Sequence, residues 1–131
     1  MTWLLTGGAG YIGAHVLRAL QASHIDVVVL DDLSTGIRTR VPADVPFVEA
    51  NVGDVDAVLA TLRKHEVRGV LHLAAHKAVP ESIANPALYY RENVGGFERL
   101  LSAMRTADVR AIVHSSSCSV IGTPAQEQVD E

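Results

Sequence analysis

Three glycines, Gly7, Gly10 and Gly13, are spaced G-x-x-G-x-x-G in the run Thr6-Gly7-Gly8-Ala9-Gly10-Tyr11-Ile12-Gly13. Where such a run joins a strand to a helix, each glycine answers a separate steric need. Gly7 permits a tight turn, Gly10 lets a pyrophosphate approach the backbone, and Gly13 lets the helix pack closely on a sheet. The helix N-terminus then offers free N–H groups and a partial positive charge to phosphates. Asp31 follows Gly13 by 18 residues, close to the spacing of about 20 expected for a carboxylate that accepts from ribose hydroxyls. A carboxylate there also repels a 2′-phosphate, which favours NAD over NADP. Arg38 and Arg40 would weaken that preference if their loop folded back. Asp32 reads either as a second ribose ligand or as a solvated loop acid. No Gly-Lys-Ser/Thr follows the glycines, so the run is not an ATP-binding P-loop.

Other residues with chemical potential are less specific. Ser115, Ser116 and Ser117 stand in a row after an apolar run, where serines are often polar punctuation. His72 and His76 are four apart, as in a zinc-binding helix. However, Leu73 stands where that motif has glutamate, and the pair straddles a strand end. His15, His24, His65 and His114 read as surface or lightly buried histidines. Cys118 is the lone cysteine, which excludes an internal disulfide and a cysteine zinc cage and fits a reducing, cytoplasmic compartment.

The elements that position these residues follow from apolar patterning. Trp3–Thr6 reads as a strand ending in the glycine run. Ile12, Val16, Leu17 and Leu20 recur at helical spacing over Tyr11–Ala22. Ile25–Leu30 is continuously apolar, as in a parallel strand buried on both faces. Pro46–Glu49 is a short strand, and Asp54 is a good N-cap for a helix over Val55–His65. Val67–Leu73 and Ala111–Ser116 are further strands. Pro86–Thr106 reads as one long helix with proline in its first turn. Arg38–Val45 is an irregular connection. Strands alternating with helices predict an α/β fold, a doubly wound parallel sheet in the order 3-2-1-4-5.

With 131 residues, 48% of them hydrophobic, the chain makes one domain or less with a sizeable core. A net charge of −4 disfavours nucleic acid as a partner. No apolar run approaches the roughly 20 residues that cross a membrane. Met1-Thr2-Trp3 lacks the basic start of a signal peptide.

The glycine run, Asp31-Asp32-Leu33-Ser34-Thr35-Gly36 and His72-Leu73-Ala74-Ala75 together resemble the extended short-chain dehydrogenase/reductase family. His72–Ser82 (HLAAHKAVPES), residues 89–95 (YYRENVG) and residues 115–122 (SSSCSVIG) resemble its UDP-glucose 4-epimerases. The resemblance runs from residue 3 to about residue 123 and implies an NAD-binding Rossmann domain over residues 1–131. It implies NAD-dependent interconversion of UDP-glucose and UDP-galactose through a 4-keto intermediate.

The same resemblance assigns roles residue by residue. The backbone at Tyr11 and Ile12 lies against the pyrophosphate, and Asp31 to Gly36 hold the adenosine ribose. Asn51 replaces an aspartate usual beside the adenine amino group, and its amide oxygen can still accept. Val52 packs on the adenine. Leu73, Ala74, Ala75 and Lys77 line the cofactor, with Lys77 near the nicotinamide ribose. Asn93 helps to order the nicotinamide end. Ser117 binds the sugar hydroxyl being oxidised. His76 has no assigned role, and Ile121 replaces a common tyrosine.

The family's base is a tyrosine with a lysine four residues on, which lowers the tyrosine pKa. Here the residues four after the tyrosines are His15, Asn93 and Val94. The reading is therefore an N-terminal portion without the Tyr-x-x-x-Lys helix or the substrate subdomain, inactive alone. Its expected partners, in the longer parent, are a UDP-sugar and a second copy of the chain as a homodimer. Alternatives are a non-catalytic NAD-binding fragment or sensor and a sugar-nucleotide dehydratase. The dehydratase would carry an Asp-Glu pair where Cys118-Ser119 stand.

Overall fold

The structure, a computed structural model, describes residues 1–117, 120, 122 and 123. Five parallel strands form one sheet: β1 (Thr2–Thr6), β2 (Val27–Asp31), β3 (Phe47–Glu49), β4 (Val67–His72) and β5 (Ala111–His114). Their spatial order is β3-β2-β1-β4-β5, as the alternation predicts. Because all strands run the same way, every loop leaving a carboxyl end reaches one edge. The order reverses at β1, between β2 and β4, which opens the crevice where doubly wound sheets bind ligands.

The register explains the two cores. Leu4 pairs with Val28 on one side and Val70 on the other, while Leu5 pairs with Val29 and Leu71. Successive strand residues point to opposite faces. Leu4, Val28 and Val70 therefore join Val58, Leu62, Leu100 and Met104 under α2 (Val55–Lys64) and the last helix. Leu5 and Val29 join Leu17 of α1 (Tyr11–Ala22) on the other face. All five residues of β2 are buried, as the unbroken apolar run requires. Gly69 in β4 admits the Trp3 ring, which a Cβ there would meet at 2.5 Å.

Asp54 caps α2 as expected, its carboxylate accepting from Ala57 N–H at 3.1 Å. The stretch expected as one helix over Pro86–Thr106 is helical throughout but changes pitch. A short α3 (Val79–Ala84) leads into α4 (Pro86–Tyr89), a π-helical turn over Tyr90–Gly95, and α5 (Gly96–Thr106). The fifth strand ends at His114 instead of Ser116, although Ser115 N–H still donates to His72 O at 3.1 Å. The irregular connection contains one 3₁₀ turn, Arg38–Arg40. Among the described residues no helix is long and apolar enough to cross a membrane.

Candidate cofactor site

The glycine run folds as the tight connection from β1 into α1. Gly7 has φ +71°, and a Cβ on it would meet Ala74 N at 2.8 Å, so the loop lies directly against the chain leaving β4. Gly10 is the N-cap of α1, with extended backbone and no side-chain cap. A Cβ there would meet only Gly7 O, at 3.2 Å. That contact is tight, but no other part of the fold crowds Gly10, which suits an approaching phosphate. The first turn of α1 contains no acid, so the uncapped N–H groups at Tyr11 and Ile12 keep their attraction for an anion. Both side chains are exposed.

Gly13 corrects one expectation. Its missing side chain makes room for the glycine loop, not the sheet: a Cβ would fall 2.1 Å from Gly7 O. Gly8, which has no role in the sequence reading, is the glycine against the sheet. A Cβ on it would meet Val29 Cγ1 at 2.6 Å.

Asp31 ends β2 and is 7% exposed. Its Oδ2 accepts from Ala9 N–H and its Oδ1 from Leu33 N–H, each at 2.9 Å. The carboxylate thus braces the glycine loop against the loop after β2. Each oxygen keeps a second lone pair for a hydroxyl. Gly36 lets the chain pass this carboxylate, since a Cβ there would meet Asp31 Oδ1 at 2.6 Å. Leu33 adopts φ +59° to make the turn. Thr35 is exposed. Arg38 stacks on Phe47, its guanidinium carbon 4.4 Å from the ring centroid. Arg40 does fold back, donating to Ala9 O at 3.4 Å.

Asp32 is held by neighbours. Its Oδ1 accepts from Ser34 N–H and Ser34 Oγ–H, and its Oδ2 from Asn51 Nδ2 at 2.9 Å. Partial burial pushes its pKa up. The Ser34 and Asn51 hydrogen bonds and the nearby His76 together outweigh that and hold it below the usual carboxylate range. Asn51 also donates to Glu92 Oε2 at 3.0 Å, while its Oδ1 accepts from Gly53 N–H at 2.7 Å. The amide oxygen expected to serve adenine thus already accepts one bond and keeps a second lone pair. Val52 is 7% exposed and belongs to the core, with Gly96 packed close to it. Little of its surface remains for a base.

On the other side of the crevice, Thr6 and His72 tie β1 to β4. Thr6 Oγ1 accepts from Leu73 and Ala74 N–H at 3.3 and 3.4 Å. Its own hydroxyl hydrogen then goes to His72 Nδ1 at 2.7 Å. His72 is 3% exposed, and burial, helped by His114, pushes its pKa down to about 4. The neutral ring stacks on Phe97 and His114. Its engaged Nδ1 serves the fold, and among the described residues no group of His, Cys, Asp or Glu forms a metal cage.

The loop after β4 carries Leu73, Ala74, Ala75 and Lys77. It is clamped by Asn93, which accepts from His76 N–H and donates to His76 O, both at 2.8 Å. Lys77 is exposed on this loop, and Ser117 is exposed on the loop after the neighbouring β5. Cys118, Ser119 and Ile121 lie outside the described residues. Thr6, Gly8 and Glu92 are the residues the sequence reading missed. Glu92 precedes Asn93, but nothing near it in sequence reveals its partner Asn51.

Residues 3–131 match the profile of the NAD dependent epimerase/dehydratase family. A UDP-glucose 4-epimerase from Azospirillum brasilense is 43% identical over 98% of this chain and 37% of that protein. A UDP-glucose 4-epimerase from Brucella ovis, solved with NAD, superimposes with a TM-score of 0.94 at 38% identity, covering 99% of this chain and 40% of that one. The Bifidobacterium longum UDP-glucose 4-epimerase, solved with NAD+ and UDP, gives 0.92 at 31% identity over 100% of this chain and 41% of that one. The chain therefore spans about 40% of the length of these relatives.

Proposed function

The chain belongs to the NAD dependent epimerase/dehydratase family, and from that membership we propose that it is the cofactor-binding portion of a UDP-glucose 4-epimerase. The observation that carries the reading is the uncapped, acid-free N-terminus of α1, reached through Gly7 and Gly10, beside the sheet's switch point. The donors and contours there fit a dinucleotide.

In this reading, N–H groups at Tyr11 and Ile12 hold the pyrophosphate, and Asp31 and Asp32 receive the adenosine ribose hydroxyls. Leu73, Ala74 and Ala75 wall the pocket. Lys77 faces the nicotinamide ribose, Asn93 fixes the loop beneath it, and Ser117 holds the reacting sugar hydroxyl. Bound NAD supplies reversible oxidation at the sugar C4. The protein's own residues bind, orient and exclude water. The reading extends to galactose metabolism in the cytoplasm and to a UDP-sugar substrate held mainly by a subdomain beyond this segment.

A coupled assay for UDP-glucose formed from UDP-galactose tests this proposal on the longer parent and on the 131-residue chain. The parent should turn over and the chain should not. General-base catalysis alone is worth about 10²–10⁴-fold, and positioning adds more. An inactive parent that binds NAD would reject the epimerase reading. Robust turnover by the chain would reject the assignment of the base to a later segment.

A further inference from the structure

Asn51 sits where three separate parts of the chain meet. Its Nδ2 donates both to Asp32 Oδ2, on the loop after β2, and to Glu92 Oε2, in the π-helical turn. Its Oδ1 accepts from Gly53 N–H. Two carboxylates on one end of the amide and an N–H on the other leave a single consistent orientation of the group. Glu92 is itself held by Arg91 Nε at 2.7 Å. The next residue, Asn93, clamps His76 on the loop after β4. An unbroken line of bonds thus joins the acid beside Asp31 to the loop that carries Lys77.

We propose that Asn51 is a positioning residue for the cofactor, an inference that rests on the NAD reading above. Its amide ties the adenosine-side acids to the π-helical turn and so sets the loop at the other end of the site. An aspartate at 51, the residue usual in the resemblance, cannot do this here. It would lose both donated bonds and place a third carboxylate beside Asp32 and Glu92. The amide at 51 and the carboxylate at 92 act as a matched pair. The other charged groups around them are Arg91 in the same turn, His76 on the loop after β4, and Arg99 of α5, whose guanidinium lies near Gly53.

The test is calorimetric titration of NAD into the chain and its variants, with folding checked by circular dichroism. Asn51→Asp should bind about tenfold more weakly near pH 8, the cost of about one charge-assisted hydrogen bond. Affinity should recover toward about pH 5, as the crowded cluster takes up a proton. Adding Glu92→Gln returns an amide to the pair with donor and acceptor exchanged. It should restore binding near pH 8 to within about threefold of the parent chain. If Asn51→Asp does not fold, Glu92→Ala removes the same bond from outside the core. It should weaken NAD binding by about fivefold without recovery in acid. Unchanged NAD affinity in Asn51→Asp, no rescue by Glu92→Gln, or unchanged affinity in Glu92→Ala overturns the inference while leaving the cofactor reading intact. A parent chain that binds no NAD overturns both.

Discussion

Asn93 holds His76 by both of its backbone polar groups, accepting from N–H and donating to C=O at 2.8 Å each. A side-chain amide that mimics a strand partner in this way fixes the loop's position and its rotation. The clamp comes from a π-helical turn, an arrangement found often at functional sites.

Replacing Asn93 with alanine removes both bonds. Stability should fall by about 1–3 kcal/mol, and NAD affinity should fall with it. Urea unfolding and NAD titration of the variant provide the check. An unchanged NAD affinity would show that the loop's position is not used by the cofactor.

Gly13→Ala should damage the fold itself. The added methyl would lie 2.1 Å from Gly7 O, a backbone atom that cannot swing aside. Such overpacking costs about 1–3 kcal/mol or more. A urea midpoint equal to the parent's would show that the α1 N-terminus adjusts freely.

The glycine connection and the Asp54 cap were legible because each depends on residues near in sequence, and the strand order because right-handed crossovers leave an alternating chain few topologies. Gly7, Gly10 and Gly13 report a local turn, and unbroken Val27-Val28-Val29 reports burial on both faces. The π-helical turn was not legible, since a change of pitch over Tyr90–Gly95 barely alters the apolar spacing. Nor were the partners of Asn51, which lie 19 and 41 residues away. Gly13 was recognised as a close contact, but a spacing rule does not say which surface the glycine touches. Spacing pairs His72 with His76, whereas its partner is Thr6 across the β1–β4 pair.

His72 gives stability a pH dependence of definite sign. Its ring titrates near 6.5 when unfolded and near 4 when folded. Between those values the unfolded chain binds more protons. Its contribution is complete above about pH 6.5 and is lost as pH falls toward about 4, by up to about 3 kcal/mol. Denaturant titrations near pH 7 and pH 4.5 should show a smaller acid loss in His72→Gln than in the parent. The same loss in both would remove His72 as the cause.

Asp31 should select the cofactor. A carboxylate beside the ribose repels a 2′-phosphate, so NAD should bind more tightly than NADP. Arg40, which donates to Ala9 O, is an opposing positive charge on the same side of the glycine loop. Competitive titration of the two cofactors decides it. Equal or tighter NADP binding would reject the role of Asp31 and point to Arg40.

The central claim is that the glycine connection into α1 is a dinucleotide pyrophosphate site. Gly10 tests this against a purely structural role: its backbone is extended, and a Cβ there would meet only Gly7 O, a tight contact at 3.2 Å for which the folding check controls. The direct measurement is calorimetric titration of NAD into the chain and into Gly10→Val, both checked for folding by circular dichroism. The account predicts that the parent chain binds NAD and that the folded variant does not. A folded Gly10→Val chain that binds NAD as the parent does would contradict it.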